Sequence, residues 1–262
     1  MVSRPPPEPQ PGAPAAGLAS EHARRFGARA VAPADRTRLV GQVFSSVARR
    51  YDLMNDLMSL GLHRAWKDWF VSRVRPRPGE RILDLAGGTG DIAFRLARRG
   101  AAVTVADINP DMLAVGEARA RRRGLARLAF TVANAEAMPF AANSFDAVTI
   151  AFGIRNVTGI EAALSEIRRV LAWGGRFFCL EFSQTDWPGF AQLYDLYARK
   201  VVPRLGALVA RDRESYSYLV ESIRRFPDVE AFAAMVRAAG FSRVSVTPIL
   251  GGAVAIHAGW KI

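Results

Sequence analysis

The stretch LDLAGGTGD, residues 83–91, decides the fold of this chain. A short apolar run ends in an acid, and a turn rich in glycine leads to a second acid. Glycines in such a turn let the backbone approach a ligand closely, because they carry no Cβ atom. A turn of this kind between a buried strand and a helix is typical of nucleotide-binding α/β domains.

The segments around the turn alternate between strand-like and helix-like patterns. Runs apolar on both faces predict a parallel sheet that helices cover on both sides. Two further runs near the end, joined only by Gly251–Gly252, predict an antiparallel hairpin. We therefore expect a doubly wound α/β fold with a mostly parallel seven-stranded sheet. Its predicted strands are residues 82–86, 102–107, 128–134, 145–152, 176–182, 241–250 and 253–262.

The 262 residues divide into a core and three additions. Pro, Ala and Gly dominate the beginning, so residues 1–36 are expected to form a disordered arm. The core is expected over residues 77–183, and the hairpin of residues 241–262 completes its sheet. Residues 37–76 and 184–240 read as helical, and both could close over the ligand crevice at the carboxyl ends of the strands.

The composition limits the classes of function. The net charge of +12 and the pI of about 11.0 favour phosphate-bearing partners, with scattered solvated arginines as the alternative. The single cysteine, Cys179, excludes an internal disulfide, and its apolar surroundings favour a packing role over a nucleophile. Three histidines and one cysteine show no metal-ligand spacing, so no metal is expected. No apolar run approaches the ~20 residues that a membrane span requires.

The glycine turn fits two cofactors, a nicotinamide dinucleotide and S-adenosylmethionine (SAM). Gly88 to Ala93 match the pattern G-x-G-x-x-A, which is weak evidence alone. Asp84 and Asp91 flank the turn and would repel a pyrophosphate, whereas Asp84 would attract the ammonium group of SAM. The start of the following helix could receive the carboxylate of SAM. The two acids therefore favour SAM.

Polar residues at the ends of the next strands support the same cofactor. Asp107 ends the second strand and could bind ribose hydroxyls, and Asn134 ends the third, where it could meet the adenine edge. The end of strand 145–152 would line the site of methyl transfer. Together with the Gly174–Gly175 pair before the fifth strand, these features resemble the class I SAM-dependent methyltransferases and their Rossmann-like fold.

Longer segments carry a more specific resemblance. The chain is similar, from Leu39 to Ile262, to the ubiquinone/menaquinone biosynthesis C-methyltransferases (UbiE type). The outer helices carry the resemblance as much as the cofactor core does. The matching segments are YDLMNDLMSLGLHRAWKDW (51–69), LDLAGGTGD (83–91), ADIN (106–109), ANAEAMPF (133–140), FGIRNV (152–157), RVLAWGGRFFCLEFS (169–183), DRESYSYLVESIRRFP (212–227) and the ending HAGWKI.

The resemblance implies a reaction and a SAM site. In that family SAM methylates a ring carbon of a polyprenylated quinol, either 2-methoxy-6-polyprenyl-1,4-benzoquinol or demethylmenaquinol. Ala151 stands where members often carry serine, so a side-chain hydrogen bond is lost there. The residues expected to bind SAM are Asp84, Gly88, Thr89, Gly90, Asp107, Ile108, Asn134, Ala135 and Ala151.

Carbon methylation needs an electron-rich ring, and an unperturbed phenol has a pKa of ~10. We expect Arg155 to stabilise the phenolate, directly or through a water that takes the proton, and Asn156 to orient the ring oxygen. Tyr51, Asp52 and His63 could complete the pocket. The alternatives are a fixed ion pair for Arg155, a cap or ion pair for Asp52, packing for Tyr51, and a structural role for His63, which we favour over catalysis.

The prenyl tail of such a substrate implies contact with a membrane surface. We expect the helices of residues 184–226 to meet anionic lipid, with a solvated lid as the alternative. The expected location is the cytoplasmic face of a bacterial inner membrane, or else the matrix side of the inner mitochondrial membrane. The sequence leaves open whether the chain forms a homodimer or joins a quinone-biosynthesis complex. It also leaves open whether the acceptor is a benzoquinol, a naphthoquinol or both.

Three other functions remain as alternatives. The first is a class I methyltransferase for another small acceptor. A nucleic-acid methyltransferase is disfavoured, because FGIRN (152–156) stands where an N-P-P-Y-like tetrapeptide is expected. A non-catalytic SAM-binding scaffold at the membrane is also disfavoured, since Asp84 and the glycines are intact.

Overall fold

A computed structural model describes residues 24–26, 29–48, 55–56, 59, 61–125, 128–183 and 213–262. Its strands are β1 (Arg25–Phe26), β2 (Arg29–Ala30), β3 (Arg81–Leu85), β4 (Ala102–Asp107), β5 (Leu128–Val132), β6 (Phe145–Ala151), β7 (Leu171–Phe182), β8 (Ser242–Ile249) and β9 (Val254–Trp260). Its helices are α1 (Pro33–Val47), α2 (His63–Val74), α3 (Asp91–Ala97), α4 (Pro110–Arg122), α5 (Ile160–Val170), α6 (Arg213–Arg224) and α7 (Val229–Ala238). Short 3-10 turns cover Ile154–Asn156 and Leu250–Gly252.

A seven-stranded sheet forms the centre of the fold, in the order β5-β4-β3-β6-β7-β9-β8. Strands β3 to β7 pair in parallel, whereas β9 pairs antiparallel with both β7 and β8. The predicted doubly wound fold with a terminal hairpin is confirmed. The order reverses direction between β3 and β6, where open α/β sheets bind their ligands.

Apolar residues on both faces of the sheet create two cores. In β3, Ile82 packs on the side of α2 and α3, and its neighbour Leu83 packs on the opposite side with Ile167 of α5. Alternate side chains of a strand point to opposite faces, so a continuous apolar run serves both cores. Cys179 is fully buried as predicted, and burial raises the pKa of its thiol well above the ordinary value.

Side-chain caps begin two of the helices. Asn109 accepts hydrogen bonds from the backbone nitrogens of Asp111 and Met112 and so starts α4. Asp228 accepts one from Ala231 and starts α7. Both residues satisfy amide groups that the helix itself leaves free.

The ordered structure begins earlier than the predicted boundary after residue 36. A two-stranded hairpin and the first turn of α1 precede that boundary, and Arg36 is only 2% exposed. The reason lies in the tertiary structure. Arg36 donates hydrogen bonds to residues about 120 positions away, and a local sequence pattern cannot reveal such contacts. Most of the predicted insert, residues 184–212, lies outside the described residues.

Candidate active site

The glycine turn folds back against the sheet directly after β3. Ala86, Gly88 and Gly90 have φ angles of 50°, 52° and 82°. A Cβ atom on Gly87 would lie 2.7 Å from Val105 and 2.9 Å from the Asp84 carbonyl oxygen, so only glycine fits there. Gly90 precedes α3 and packs on Phe94, and it does not line the pocket described below.

Asp84 is a buried carboxylate, and the fold already engages both of its oxygens. It accepts hydrogen bonds from the Ala93 backbone nitrogen at 3.1 Å and from Thr149 Oγ1 at 2.9 Å. Burial raises its pKa to about 7. The first turn of α3 was predicted to receive the carboxylate of SAM, and Asp84 takes one of the amide groups of that turn, the Ala93 N–H.

Asp91 forms two ion pairs within the protein. Lys67 Nζ lies 2.9 Å from one of its oxygens, and Arg95 binds the other. Burial acts to raise the pKa of Asp91, but Lys67 and Arg95 outweigh burial and hold the pKa below its ordinary value. Asp91 was predicted to repel a pyrophosphate together with Asp84. The structure shows that two cations balance the charge of Asp91.

Asp107 joins the end of β4 to the glycine turn. Its carboxylate accepts hydrogen bonds from the backbone nitrogens of Gly88 and Asn109, both at 2.9 Å. Burial raises its pKa to about 6. Ile108 follows with 43% of its surface exposed, and both residues line the pocket.

The other residues predicted to bind SAM also line this pocket. Thr89 is buried, and its Oγ1 accepts a hydrogen bond from Arg119 at 2.9 Å. Asn134 is exposed and accepts one from the Glu136 backbone nitrogen at 3.0 Å. Gly88, Ala135 and Ala151 complete the set. Residues from four separate strand ends therefore meet at one edge of the sheet.

The pocket has a helical roof and is partly open to solvent, and its empty space of about 1020 Å³ includes part of that solvent. Thr37, Val40, Gly41 and Phe44 of α1 form the roof, above the strand ends.

Buried and partly buried hydrogen bonds hold the roof in place on two sides. Arg36 donates to the carbonyl oxygens of Arg155 and Asn156 at 3.1 and 3.0 Å, and Thr37 Oγ1 lies 2.9 Å from Thr158 Oγ1. On the other side, Asn109 Nδ2 donates to the Gly41 carbonyl oxygen at 3.0 Å. Arg36 could not be recognised as a site residue from the sequence, because its partners lie in a distant loop.

Arg155 lies behind the pocket wall rather than in the lining. Its guanidinium donates to Glu181 at 2.5 Å, to the Phe152 carbonyl oxygen at 2.8 Å and to Ser222 at 3.3 Å. Burial raises the pKa of Glu181, and Arg155 opposes that shift. This arrangement matches the alternative of a fixed ion pair, whereas a guanidinium facing the ring was the favoured prediction.

Asn156 does line the pocket, and Tyr218 of α6 fixes its orientation. The Tyr218 hydroxyl donates to Asn156 Oδ1 at 3.1 Å, and its ring stacks on Phe26 at 4.5 Å between centroids. Burial raises the pKa of Tyr218, which keeps the hydroxyl protonated as a donor. With Oδ1 occupied, the NH₂ side of Asn156 is the group left to meet a ligand.

One of the three remaining predicted residues has a structural position, and the other two lie outside the described residues. His63 is 3% exposed, and its Nε2 lies 2.8 Å from Asp56. Burial and the neighbouring Lys67 lower the pKa of His63, so it is neutral at pH 7. It does not line the pocket, in agreement with the favoured structural role. Tyr51 and Asp52 lie outside the described residues.

None of the helices in the described part of the chain is long and apolar enough to cross a membrane. No group of three or more histidine, cysteine or acidic side chains capable of holding a metal ion occurs in the described ranges.

The fold is that of the class I SAM-dependent methyltransferases. A crystal structure of a SAM-dependent methyltransferase from Thermotoga maritima superposes with a TM-score of 0.61, at 18% identity, over 85% of this chain and 100% of that chain. At that identity the likeness shows the fold alone.

Sequence comparison then gives the family. The ubiE/COQ5 methyltransferase family model matches residues 32–261. "Ubiquinone/menaquinone biosynthesis C-methyltransferase UbiE" of Zymomonas mobilis is 60% identical over 237 residues, 90% of this chain and 98% of that protein. "2-methoxy-6-polyprenyl-1,4-benzoquinol methylase, mitochondrial" of Oryza sativa is 53% identical over 262 residues, 92% and 89% of the two chains. The chain belongs to the ubiE/COQ5 methyltransferase family, a family of SAM-dependent C-methyltransferases, which confirms the predicted resemblance.

Proposed function

We propose that this chain transfers the methyl group of SAM to a ring carbon of a polyprenylated quinol in quinone biosynthesis. The acceptor would be 2-methoxy-6-polyprenyl-1,4-benzoquinol, demethylmenaquinol or both. The observation that carries the proposal is the joint lining of one pocket by the glycine turn and by apolar residues of α1. The names of the relatives at 60% and 53% identity support the choice of acceptor.

The residues of the pocket fit SAM. Asp107 retains lone pairs for the ribose hydroxyls, and Ile108 offers an exposed apolar surface to the adenine. Asn134 and Ala135 would border the adenine, and Ala151 would border the sulfonium. Asp84, Gly88 and Thr89 would surround the methionine part, and Gly90 would shape the turn from outside the pocket. SAM supplies an electrophilic methyl group, and these residues hold it beside the acceptor.

The acceptor ring would lie under the roof, next to the loop that follows β6. Val40 and Phe44 offer apolar surface there, and Phe152 adds an aromatic ring. Asn156 is the polar group on this side, and its NH₂ would donate to the ring oxygen as negative charge develops. Such a donor stabilises the phenolate and so favours loss of the phenol proton.

Arg155 would act as a positioning residue. Phe152 has a φ of 58°, which is unfavourable for an aromatic residue, and its carbonyl oxygen accepts a hydrogen bond from Arg155. Through this bond and the turn Ile154–Asn156, Arg155 would hold Phe152 and Asn156 against the ring. Tyr51 and Asp52 remain predicted members of the pocket.

The tail of the acceptor requires contact with a membrane surface. We place the protein at the cytoplasmic face of a bacterial inner membrane or, as the alternative, at the matrix side of the inner mitochondrial membrane, with residues 184–226 against anionic lipid. Sedimentation with liposomes containing anionic lipid would show binding that weakens with salt. Equal recovery from neutral and anionic liposomes at low salt would contradict this placement. Light scattering would test the homodimer.

One assay tests the reaction. The purified protein is incubated with methyl-labelled SAM and short-chain quinols of the benzo and naphtho series under reducing conditions. We expect label on a ring carbon, identified by NMR of the product. Label on an oxygen or nitrogen of another acceptor would favour the alternative methyltransferase. SAM binding without turnover on either quinol would favour the scaffold.

A further inference from the structure

Lys67 is a buried ammonium group that lines the pocket. Its side chain is 4% exposed, and Nζ donates to Asp91 at 2.9 Å. A lysine carries three donors, and among the residues that the structure describes only Asp91 accepts from this one. Buried donors without acceptors are costly, so the remaining donors mark a place for an anionic ligand group.

The charges around Lys67 point to a ligand that carries both signs. Asp84 is buried in the same lining, and its charge interacts with that of Lys67. Asp91 and Asp107 line the pocket as well, but Asp91 has Arg95 as a second partner, and Asp107 is assigned to the ribose hydroxyls. Asp84 and Lys67 are therefore the acid and the ammonium group that the glycine turn offers to the rest of the ligand. The methionine part of SAM carries an ammonium and a carboxylate.

We propose that Lys67 binds the carboxylate of the methionine part of SAM, while Asp84 accepts its ammonium group. Asp84 takes the Ala93 amide at the start of α3, and Lys67 is the one cationic side chain among the described residues of the lining. The inference rests on SAM as the donor and is independent of the acceptor in the proposed function.

The test compares two ligands by calorimetry, without turnover. S-adenosylhomocysteine has the same amino-acid part as SAM, and S-adenosyl-3-thiopropylamine lacks only the carboxylate. The variants are Lys67→Met, Lys67→Gln and Lys67→Arg. Arg95→Met is the matched control, because it removes the other partner of Asp91 and lies outside the pocket lining. Thermal unfolding checks that each variant is folded. If Lys67→Met does not fold, Lys67→Gln takes its place in the comparison.

A charged hydrogen bond contributes about 1.5–3 kcal/mol, or about 10- to 100-fold in affinity. The wild-type protein should prefer S-adenosylhomocysteine by that factor, and Lys67→Met or Lys67→Gln should remove the preference while binding the amine equally well. Lys67→Arg and Arg95→Met should keep it. Equal weakening of both ligands in Lys67→Gln would overturn the proposal, because it would show that Lys67 only holds Asp91. Unchanged affinity for S-adenosylhomocysteine would overturn it as well.

Discussion

Two buried cations near the pocket have almost equal exposure and very different partners. Lys67 is 3% exposed and Arg155 is 2% exposed. Arg155 donates to a carboxylate, a carbonyl oxygen and a hydroxyl, whereas Lys67 donates to Asp91 alone among the described residues. The difference teaches that the saturation of donors, rather than burial, separates a group that holds the fold from one that is ready for a ligand.

Replacing Arg155 tests the saturated side of this comparison, and we expect the largest effect there. Arg155→Leu leaves Glu181 buried without its counter-charge, which typically costs about 3–5 kcal/mol of unfolding free energy. Chemical denaturation would measure that loss. In the folded fraction, kcat should fall far more than the affinity for S-adenosylhomocysteine.

A double variant separates the charge from the position. Arg155→Met combined with Glu181→Met removes both charges, so the unfolding free energy should return close to that of the wild type. Turnover should stay low, because the Phe152 carbonyl oxygen still lacks its donor. Normal turnover in either variant would show that Arg155 does not position the site.

Lys67 is the cation of this comparison that is ready for a ligand, and Asp84→Asn changes the acid beside it. The first effect of this variant is on the pH dependence of stability. Burial raises the Asp84 pKa from 3.8 to about 7, so the folded protein keeps a proton that the unfolded chain loses. The contribution of Asp84 to the unfolding free energy is therefore fully present below about pH 4 and is lost as the pH rises to about 7. Asp84→Asn should flatten this part of the stability curve, which thermal unfolding at several pH values would measure.

The same variant changes ligand binding. In the wild type, affinity for S-adenosylhomocysteine should rise with pH up to about 7, because the ammonium group requires ionised Asp84. Asp84→Asn should bind about 10- to 100-fold more weakly, with that pH dependence reduced. A wild-type affinity that is constant from pH 5 to 8 would contradict the assignment.

Tyr218→Phe makes a smaller change at the loop that Arg155 supports. It removes one neutral hydrogen bond to Asn156 Oδ1, and such a bond is worth about 1 kcal/mol. The amide of Asn156 would then rotate, and kcat should fall about fivefold while the affinity for S-adenosylhomocysteine stays constant. If Tyr218→Phe lowered the kcat of Asn156→Ala by a further fivefold, Tyr218 would not be acting through Asn156.

An exposed pair gives the smallest expected effect. Arg81 binds Asp146 at 2.8 Å, but more than a third of each side chain is exposed. Arg81→Ala should change the unfolding free energy by less than about 1 kcal/mol, since exposed ion pairs contribute little. A loss comparable to that of Arg155→Leu would show that burial does not govern the value of these pairs.

The sequence was sufficient to predict the sheet, because each strand is a local apolar run. The residues 82–86 and 145–152 were expected as strands, and β3 and β6 lie there. The antiparallel hairpin followed from the short connection at Gly251–Gly252. Boundaries were less accurate: β7 begins at Leu171, before the glycine pair, and α1 begins at Pro33.

The partners of charged residues could not be predicted, because most of them are distant in the chain. The expected lining residues do meet at one edge of the sheet, since strand ends are local features. The ion pairs of Lys67 with Asp91 and of Arg155 with Glu181 join residues 24 and 26 positions apart. Such pairs form only when the chain folds. The sequence therefore shows which residues are charged, but not whether another residue already neutralises each charge.

The hydrogen bonds between Arg36 and the loop after β6 have a consequence for synthesis of the chain. Arg36 and Asn156 are separated by 120 residues, and translation adds about 5–20 residues each second. Helix α1 leaves the ribosome first and waits about 6 to 24 s for the loop that receives it. During that interval the apolar roof residues Val40 and Phe44 have no pocket to cover, so α1 is a segment of the nascent chain that needs protection from aggregation.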